Sequence, residues 1–183
     1  MIYIVGSGGR AKLIKEVLIR NNIKKVKILF IDDSSKNFKS TQFLLKNFQA
    51  GKDKLFIGIS DPKLQKIKYN FFKKKFVKID NSPLIDSRAI IKSNVKLGKN
   101  SIILENSVIG PNVEIFKNVF IGSNSIICHD SKIGAFTTIG HGTILDGNVK
   151  VGNGCFIGNG SIIKYKVKIV DNKKFENGSN ILK

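Results

Sequence analysis

The sequence predicts an α/β unit with a parallel sheet of about four strands, followed by a parallel β-helix of hexapeptide repeats. Two observations predict it. From Ile85 to Ile181 every sixth residue is apolar, without a break in phase: Ile85, Ile91, Leu97, Ile103, Ile109, Ile115, Ile121, Ile127, Ile133, Ile139, Leu145, Val151, Ile157, Ile163, Ile169, Phe175 and Ile181. Chance does not hold such a phase over about a hundred residues, and a fixed short period is the mark of a solenoid. Ahead of it, short apolar runs alternate with glycine turns and helical spacing, the pattern of βαβ units. The boundary is placed between residues 80 and 81, giving units 1–80 and 81–183.

In the first unit, Ile2 to Val5 reads as a strand and is followed at once by Gly6-Ser7-Gly8-Gly9. Arg10 to Arg20 has the helical apolar spacing of Ala11, Ile14, Val17 and Leu18. A second strand, Val26 to Ile31, ends at Asp32-Asp33, and a third, Leu55 to Ile59, precedes Ser60-Asp61-Pro62. Ser60 or Asp61 can cap a helix with Pro62 at its first position, running to about Lys74. A fourth strand is expected near Phe76 to Ile79, and residues 33–54 read as loop and short helix. Gly6-x-Gly8-x-x-Ala11 fits the Ala-ended dinucleotide fingerprint, in which glycines let a phosphate approach the backbone at a helix start. Three readings stay open here: a nucleotide-diphosphate site, which is favoured; a full NAD site, disfavoured by the small sheet; and a tight turn that only packs the helix.

In the second unit, four residues after each aliphatic comes a small or β-branched residue, such as Ser101, Val113, Ser125 and Thr137. Three hexads make one triangular coil, and coils stack at the strand spacing of about 4.8 Å. The aliphatic and the small residue both point inward, and each buried Ile contributes roughly 1.5–3 kcal/mol. Gly recurs just after the aliphatic, where it is expected to relieve a corner of unusual φ. The third, fourth and sixth positions face outward, and residues eighteen apart stack. His129 therefore lies between Pro111 and Gly147, and Gly147 is expected to leave room for a ligand over the imidazole. His141 falls on a different face, so that in one chain the two histidines do not share a site. The last hexads, Ile169 to Lys183, look irregular.

Composition sets bounds. The chain has 183 residues, 42% of them hydrophobic, and a net charge of +19. Only Arg10, Arg20 and Arg88 of its 32 basic residues are arginine, which disfavours nucleic acid, since base edges and phosphates are read best by the guanidinium fork. A positive field can still steer small anions such as nucleotides or CoA. No apolar run is long enough to span a bilayer, and the start lacks a signal peptide's features. Cys128 and Cys155 form neither a disulfide framework nor a metal motif, so a reducing cytoplasm is expected. A β-helix carbonic anhydrase needs three His ligands, and the chain has two His, so no metal is expected.

Ile4-Val-Gly-Ser-Gly-Gly-Arg-Ala-Lys12, Phe30-Ile-Asp-Asp33, Ile57-Gly-Ile-Ser-Asp-Pro-Lys-Leu64 and Ile127-Cys-His-Asp-Ser-Lys-Ile-Gly-Ala-Phe136 carry a resemblance. Together they resemble the PglD/NeuD-type nucleotide-sugar acetyltransferases, which join a Rossmann-like domain to a left-handed β-helix. The resemblance implies an acetyl-CoA-dependent acetyltransferase acting on the amino group of a UDP-linked amino sugar, assembled as a homotrimer with acetyl-CoA in a groove between neighbours. It implies a nucleotide-sugar site at Gly6, Ser7, Gly8, Gly9, Arg10, Asp32, Asp33 and Ser60, with the glycines near the phosphates and the aspartates near the base. It makes His129 the general base, with Asp130 orienting it, and puts acetyl or CoA contacts at Thr138, His141, Gly147 and Gly158. Where many members carry a second His nine residues after the first, this sequence has Thr138, whose hydroxyl can donate. The rival functions are a sialic-acid O-acetyltransferase and a catalytically weak nucleotide-sugar binding protein.

Overall fold

A computed structural model describes residues 1–21, 26–76, 79 and 81–182. The chain divides into two compact units, Met1–Asn81 and Ser82–Lys183.

The first unit is built on a parallel sheet of β1 (Ile2–Val5), β2 (Ile28–Ile31) and β3 (Lys54–Ile57), in the order β2-β1-β3. All four residues of β1 are buried, as expected of a central strand covered on both faces. Helix α1 (Gly9–Arg20) buries Ala11, Ile14, Val17 and Leu18, the stripe legible in the sequence. Helix α2 (Thr41–Asn47) is capped by Ser40, whose hydroxyl accepts from the Phe43 N–H. Helix α3 (Pro62–Lys75) is capped by Asp61, which accepts from the Leu64 N–H, with Pro62 in the first turn. Of the two expected caps, then, Asp61 takes the part. The fourth strand expected near Phe76 to Ile79 falls largely outside the described residues.

Two glycines fix the close packing of this unit. Gly6 has φ +97°, a left-handed conformation that favours glycine, and a Cβ there would lie 3.0 Å from the Gly58 carbonyl oxygen. At Gly58 a Cβ would come within 2.6 Å of the Ala11 Cβ. The small residue that ends the fingerprint is thus the one that lets α1 lie against the end of β3.

The second unit is a parallel β-helix. Its seventeen two-residue strands, from β4 (Leu84–Ile85) to β20 (Asn180–Ile181), form three parallel sheets of six, six and five strands. We call these side I, which begins with β4; side II, which begins with β5 (Ile90–Ile91); and side III, which begins with β6 (Lys96–Leu97). Each strand pairs in register with the one eighteen residues on, as Ile126 pairs with Ile144 and Ile127 with Leu145. The inward aliphatics from Ile103 to Ile169 form one continuous core with Val113, Val119, Val149, Cys155 and Val167. The inward hydroxyls are satisfied across the coil: Ser107 donates to the Gly122 carbonyl at 2.9 Å, Ser125 to Gly140 at 2.8 Å and Thr137 to Gly152 at 2.7 Å. A buried polar group so bonded escapes the cost of desolvation, which explains why Ser and Thr share this position with Val.

Two expectations about the repeat are corrected. The glycine after each aliphatic does not supply the unusual φ. The left-handed residue is two further on, where Asn94, Asn100, Asn106, Asn112, Asn118, Asn124 and Asp130 have φ between +55° and +59°. The glycine is needed because the next coil passes close: a Cβ at Gly122 would meet the His141 backbone nitrogen at 2.5 Å, and one at Gly110 the His129 nitrogen at 2.9 Å. Nor does the repeat lose regularity after Ile169. Strands β19 (Lys174–Phe175) and β20 keep the register, with Phe156 opposite Lys174 and Ile163 opposite Ile181. Side-chain variety at the outward positions disguised an intact backbone ladder.

Candidate active site

The first unit holds a cavity of about 340 Å³ at the carboxyl ends of its strands, lined by Val5, Gly6, Ile31, Asp32, Asp33, Ser34, Thr41, Ile59, Leu64 and Lys68. This is where the strand order reverses around β1, the usual place for a ligand in an open parallel sheet. Its size suits a small-molecule site. The carboxylates are held in place by hydrogen bonds. Asp32 accepts from the Ser34 hydroxyl at 2.6 Å, the Ser34 N–H at 3.0 Å and the Ser7 hydroxyl. Asp33 accepts from the Thr41 N–H and hydroxyl, both at 2.6 Å. The Ser34 and Ser7 bonds hold Asp32 below the usual carboxylate range, and the Thr41 bonds do the same for Asp33, with Lys68 adding to the effect.

The other residues expected here divide. Gly6 lines the cavity, and Ser7 bonds to Asp32. Gly8 and Gly9 are exposed at the start of α1, and a Cβ at either would meet nothing within 4 Å. Ser60 is exposed and is not among the lining residues. Arg10 is turned into the interior, 4% exposed, with Nη1 donating to the Ile59 carbonyl at 2.9 Å. Burial pushes its guanidinium down to about 9. This arginine braces the end of the third strand beside the cavity. Lys68 is a lining residue not expected from the sequence, as are Ser34 and Thr41. It lies one turn after Leu64 on α3, an i, i+4 pair that puts both side chains on one face.

On the β-helix, His129 stands just past the end of β11 (Ile126–Ile127) on side II. Its Nδ1 meets the Asp130 Oδ2 at 2.7 Å, with side-chain exposures of 51% for the histidine and 44% for the aspartate. The His129 bond, followed by one from Asn112, holds the Asp130 carboxyl below its ordinary value. An ionised carboxylate only accepts, so Nδ1 carries the hydrogen, and in neutral imidazole the lone pair is then on Nε2. The stacking with Pro111 and Gly147 is as expected: Asp130 N–H donates to the Pro111 carbonyl and Asn148 N–H to the His129 carbonyl. The space at Gly147 is nevertheless taken by the imidazole itself, since a Cβ there would lie 2.6 Å from Nε2 and 2.7 Å from Cε1. Gly147 thus makes room for the ring and not for a ligand above it.

Thr138, in β13 (Thr138–Ile139), is on side I and buried to 3% exposure. His141 follows the same strand. Its Nδ1 accepts from the Ser123 N–H at 3.0 Å, which leaves the ring hydrogen on Nε2 when neutral, and its own N–H donates to Asn159 Oδ1 at 2.9 Å. Gly158 is buried, and a Cβ there would lie 2.5 Å from the Asn177 nitrogen, so the next coil fills its space. The structure therefore joins His129, Asp130 and Gly147 in one corner and puts Thr138 and His141 on another side. Among the described residues no group of three or more His, Cys, Asp or Glu could hold a metal ion, and no helix is long and apolar enough to cross a membrane.

Two family models match this arrangement. Residues 67–179, more than half of the chain, match the GMPPB C-terminal domain. The chain belongs to that family. Residues 1–72 match the PglD N-terminal domain. A search of the curated proteins finds no match. Among solved structures, the acetyltransferase domain of PglB from Neisseria gonorrhoeae FA1090, in complex with acetyl coenzyme A, is 18% identical with a TM-score of 0.74, over 96% of this chain and 95% of that one. PerB from Caulobacter crescentus, in complex with CoA and GDP-perosamine, is 16% identical with a TM-score of 0.72, over 92% and 90%. WeeI from Acinetobacter baumannii AYE is 18% identical with a TM-score of 0.73, over 100% and 92%. The fold of both units in the GMPPB-type chain is thus shared along nearly its whole length.

Proposed function

We propose that the protein is an acetyl-CoA-dependent N-acetyltransferase of nucleotide-linked amino sugars, with His129 as general base. The observation that carries this reading is the His129–Asp130 pair, at 2.7 Å, on a β-helix preceded by a PglD-type unit. Neighbours of the same two-unit fold hold acetyl coenzyme A or CoA with GDP-perosamine, which supports both substrates. The front unit is a Rossmann-like domain whose cavity takes the nucleotide, with Asp32 and Asp33 as acceptors for base N–H groups.

The chemistry follows from the pair. Asp130 fixes the imidazole through Nδ1–H and stabilises the imidazolium that forms. Nε2 takes a proton from the sugar amine as its nitrogen attacks the thioester carbonyl carbon. The C–N bond forms, the tetrahedral centre collapses, and the C–S bond breaks. The proton held on Nε2 then passes to the departing CoA sulfur.

The β-helix is left-handed and assembles as a homotrimer, with acetyl-CoA between neighbours. Side II supports the assembly: its outer column presents Ile90 at 49% and Ile126 at 39% exposure, with Val108, Ile144 and Ile162 partly exposed between and beyond them. Such an apolar stripe is a surface for another chain to cover, and His129 lies beside it.

A thiol-release assay with acetyl-CoA over UDP- and GDP-linked amino sugars tests the function. Release with one nucleotide and an acetylated amine in the product is expected. If no thiol appears and the sugar nucleotide alone raises Tm, the protein is a binding module and the enzyme reading fails.

A further inference from the structure

We propose that Asn112 is a positioning residue for the acyl transfer, holding the Asp130 carboxylate in the orientation that receives the His129 Nδ1–H. The proposal rests on the reading of His129 as the base.

One outward column of the β-helix is unlike a plain turn. Asn94, Asn112, Asp130 and Asn148 stack eighteen residues apart, all left-handed, with φ of +57°, +58°, +59° and +60°. The first three are joined side chain to side chain. Asn94 Nδ2 donates to Asn112 Oδ1 at 3.3 Å, and Asn112 Nδ2 donates to Asp130 Oδ1 at 3.1 Å. The sense of this ladder is set from its end, because an ionised carboxylate can only accept. A carboxamide carries one acceptor and one donor face, so Asn112 can take a hydrogen from below and give one above. The two Asp130 oxygens are thereby divided, Oδ1 to Asn112 and Oδ2 to His129.

The division matters because Asp130 stands in water, its side chain 44% exposed. An exposed carboxylate held by the imidazole alone is free to turn about its own bonds. With Oδ1 pinned from the coil before, the plane of the carboxylate is fixed, and the imidazole plane with it. The Asn112 bond also contributes, after that of His129, to keeping the Asp130 carboxyl below its ordinary range.

Asn also fills left-handed positions with no link to the histidine, Asn106 among them, so the test must separate the turn from the hydrogen bond. Asn112→Gly keeps the left-handed backbone and removes the carboxamide. Asn112→Asp keeps shape and backbone but sets an acceptor against Asp130. Asn106→Gly controls for the turn, and His129→Ala for the base. Measured are kcat, KM for both substrates and the Asp130 carboxyl titration by NMR. Asn112→Gly is expected to lower kcat about tenfold, the scale of one hydrogen bond to a charged group, with both KM values kept and the Asp130 titration moved upward. Asn112→Asp should lose more, and Asn106→Gly should match the parent. The proposal is overturned if Asn112→Gly keeps kcat and the Asp130 titration while His129→Ala is inactive, which would leave the base reading intact. An active His129→Ala would remove the base reading and this proposal together.

Discussion

The front cavity and the His129 corner both rest on an aspartate fixed by hydrogen bonds, but they differ in shape. Asp32 and Asp33 sit at the rim of a concavity walled by Val5, Ile31, Ile59 and Leu64, and their bonds from Ser7, Ser34 and Thr41 all come from the same unit. His129 and Asp130 stand on an outward corner, each with about half of its side chain in water. A concave site can order a ligand by itself. A convex corner cannot exclude water from a thioester, so it offers only one wall of the proposed acyl-transfer site. The neighbouring chain of the proposed trimer would supply the rest. In the proposed reading, recognition would be complete within one chain and the chemistry shared between neighbours.

Three measurements bear on that separation. The largest effect is expected for His129→Ala, which should lower turnover at least about a hundredfold, the loss of a general base, while the sugar nucleotide still raises Tm as in the parent. A variant of near-normal turnover would break the assignment of the corner. Next, Lys68→Ala should raise KM for the sugar nucleotide about tenfold, the scale of a lost charged hydrogen bond, with kcat at saturation kept. A fall in kcat with KM unchanged would mean that the cavity takes part in the chemistry. The smallest effect concerns acid. Asp32 and Asp33 are held below their ordinary range by Ser34, Ser7 and Thr41. A depressed carboxyl stabilises the fold above its unfolded value of about 4, and that contribution is lost as pH falls below it. Pepsin digestion at about pH 3 should therefore cut within residues 1–81 first. First cuts within the β-helix would show that the aspartate bonds are not what limits the acid stability of the front unit.

Much of the site was legible because solenoid stacking is arithmetic. A period of six and three sides to a coil put Pro111, His129 and Gly147 in one column. The same arithmetic separated His141 from His129. What it could not give was the occupancy of the space at Gly147, since a stack says which residues meet but not which rotamer fills the gap. Arg10 shows the opposite failure. The resemblance put it at the nucleotide-sugar site, yet the helix turns it under, to the Ile59 carbonyl. Lys68 was missed because nothing local marks it; it joins the cavity only when α3 is laid against the ends of the strands.

The sequence by itself determined the β-helix, its inward and outward positions and the neighbours of His129, because a hexad that buries one aliphatic and one small residue admits only one phase. It also determined the βαβ order and the glycine turn of the front unit, through Gly6 and the small Ala11. Tertiary structure alone decided that the glycines after the aliphatics serve close coil contact and that asparagines carry the left-handed turns. It alone divided the oxygens of Asp130 between Asn112 and His129. Those are matters of distance and direction between residues far apart in the chain, and a linear pattern fixes adjacency without fixing ångströms.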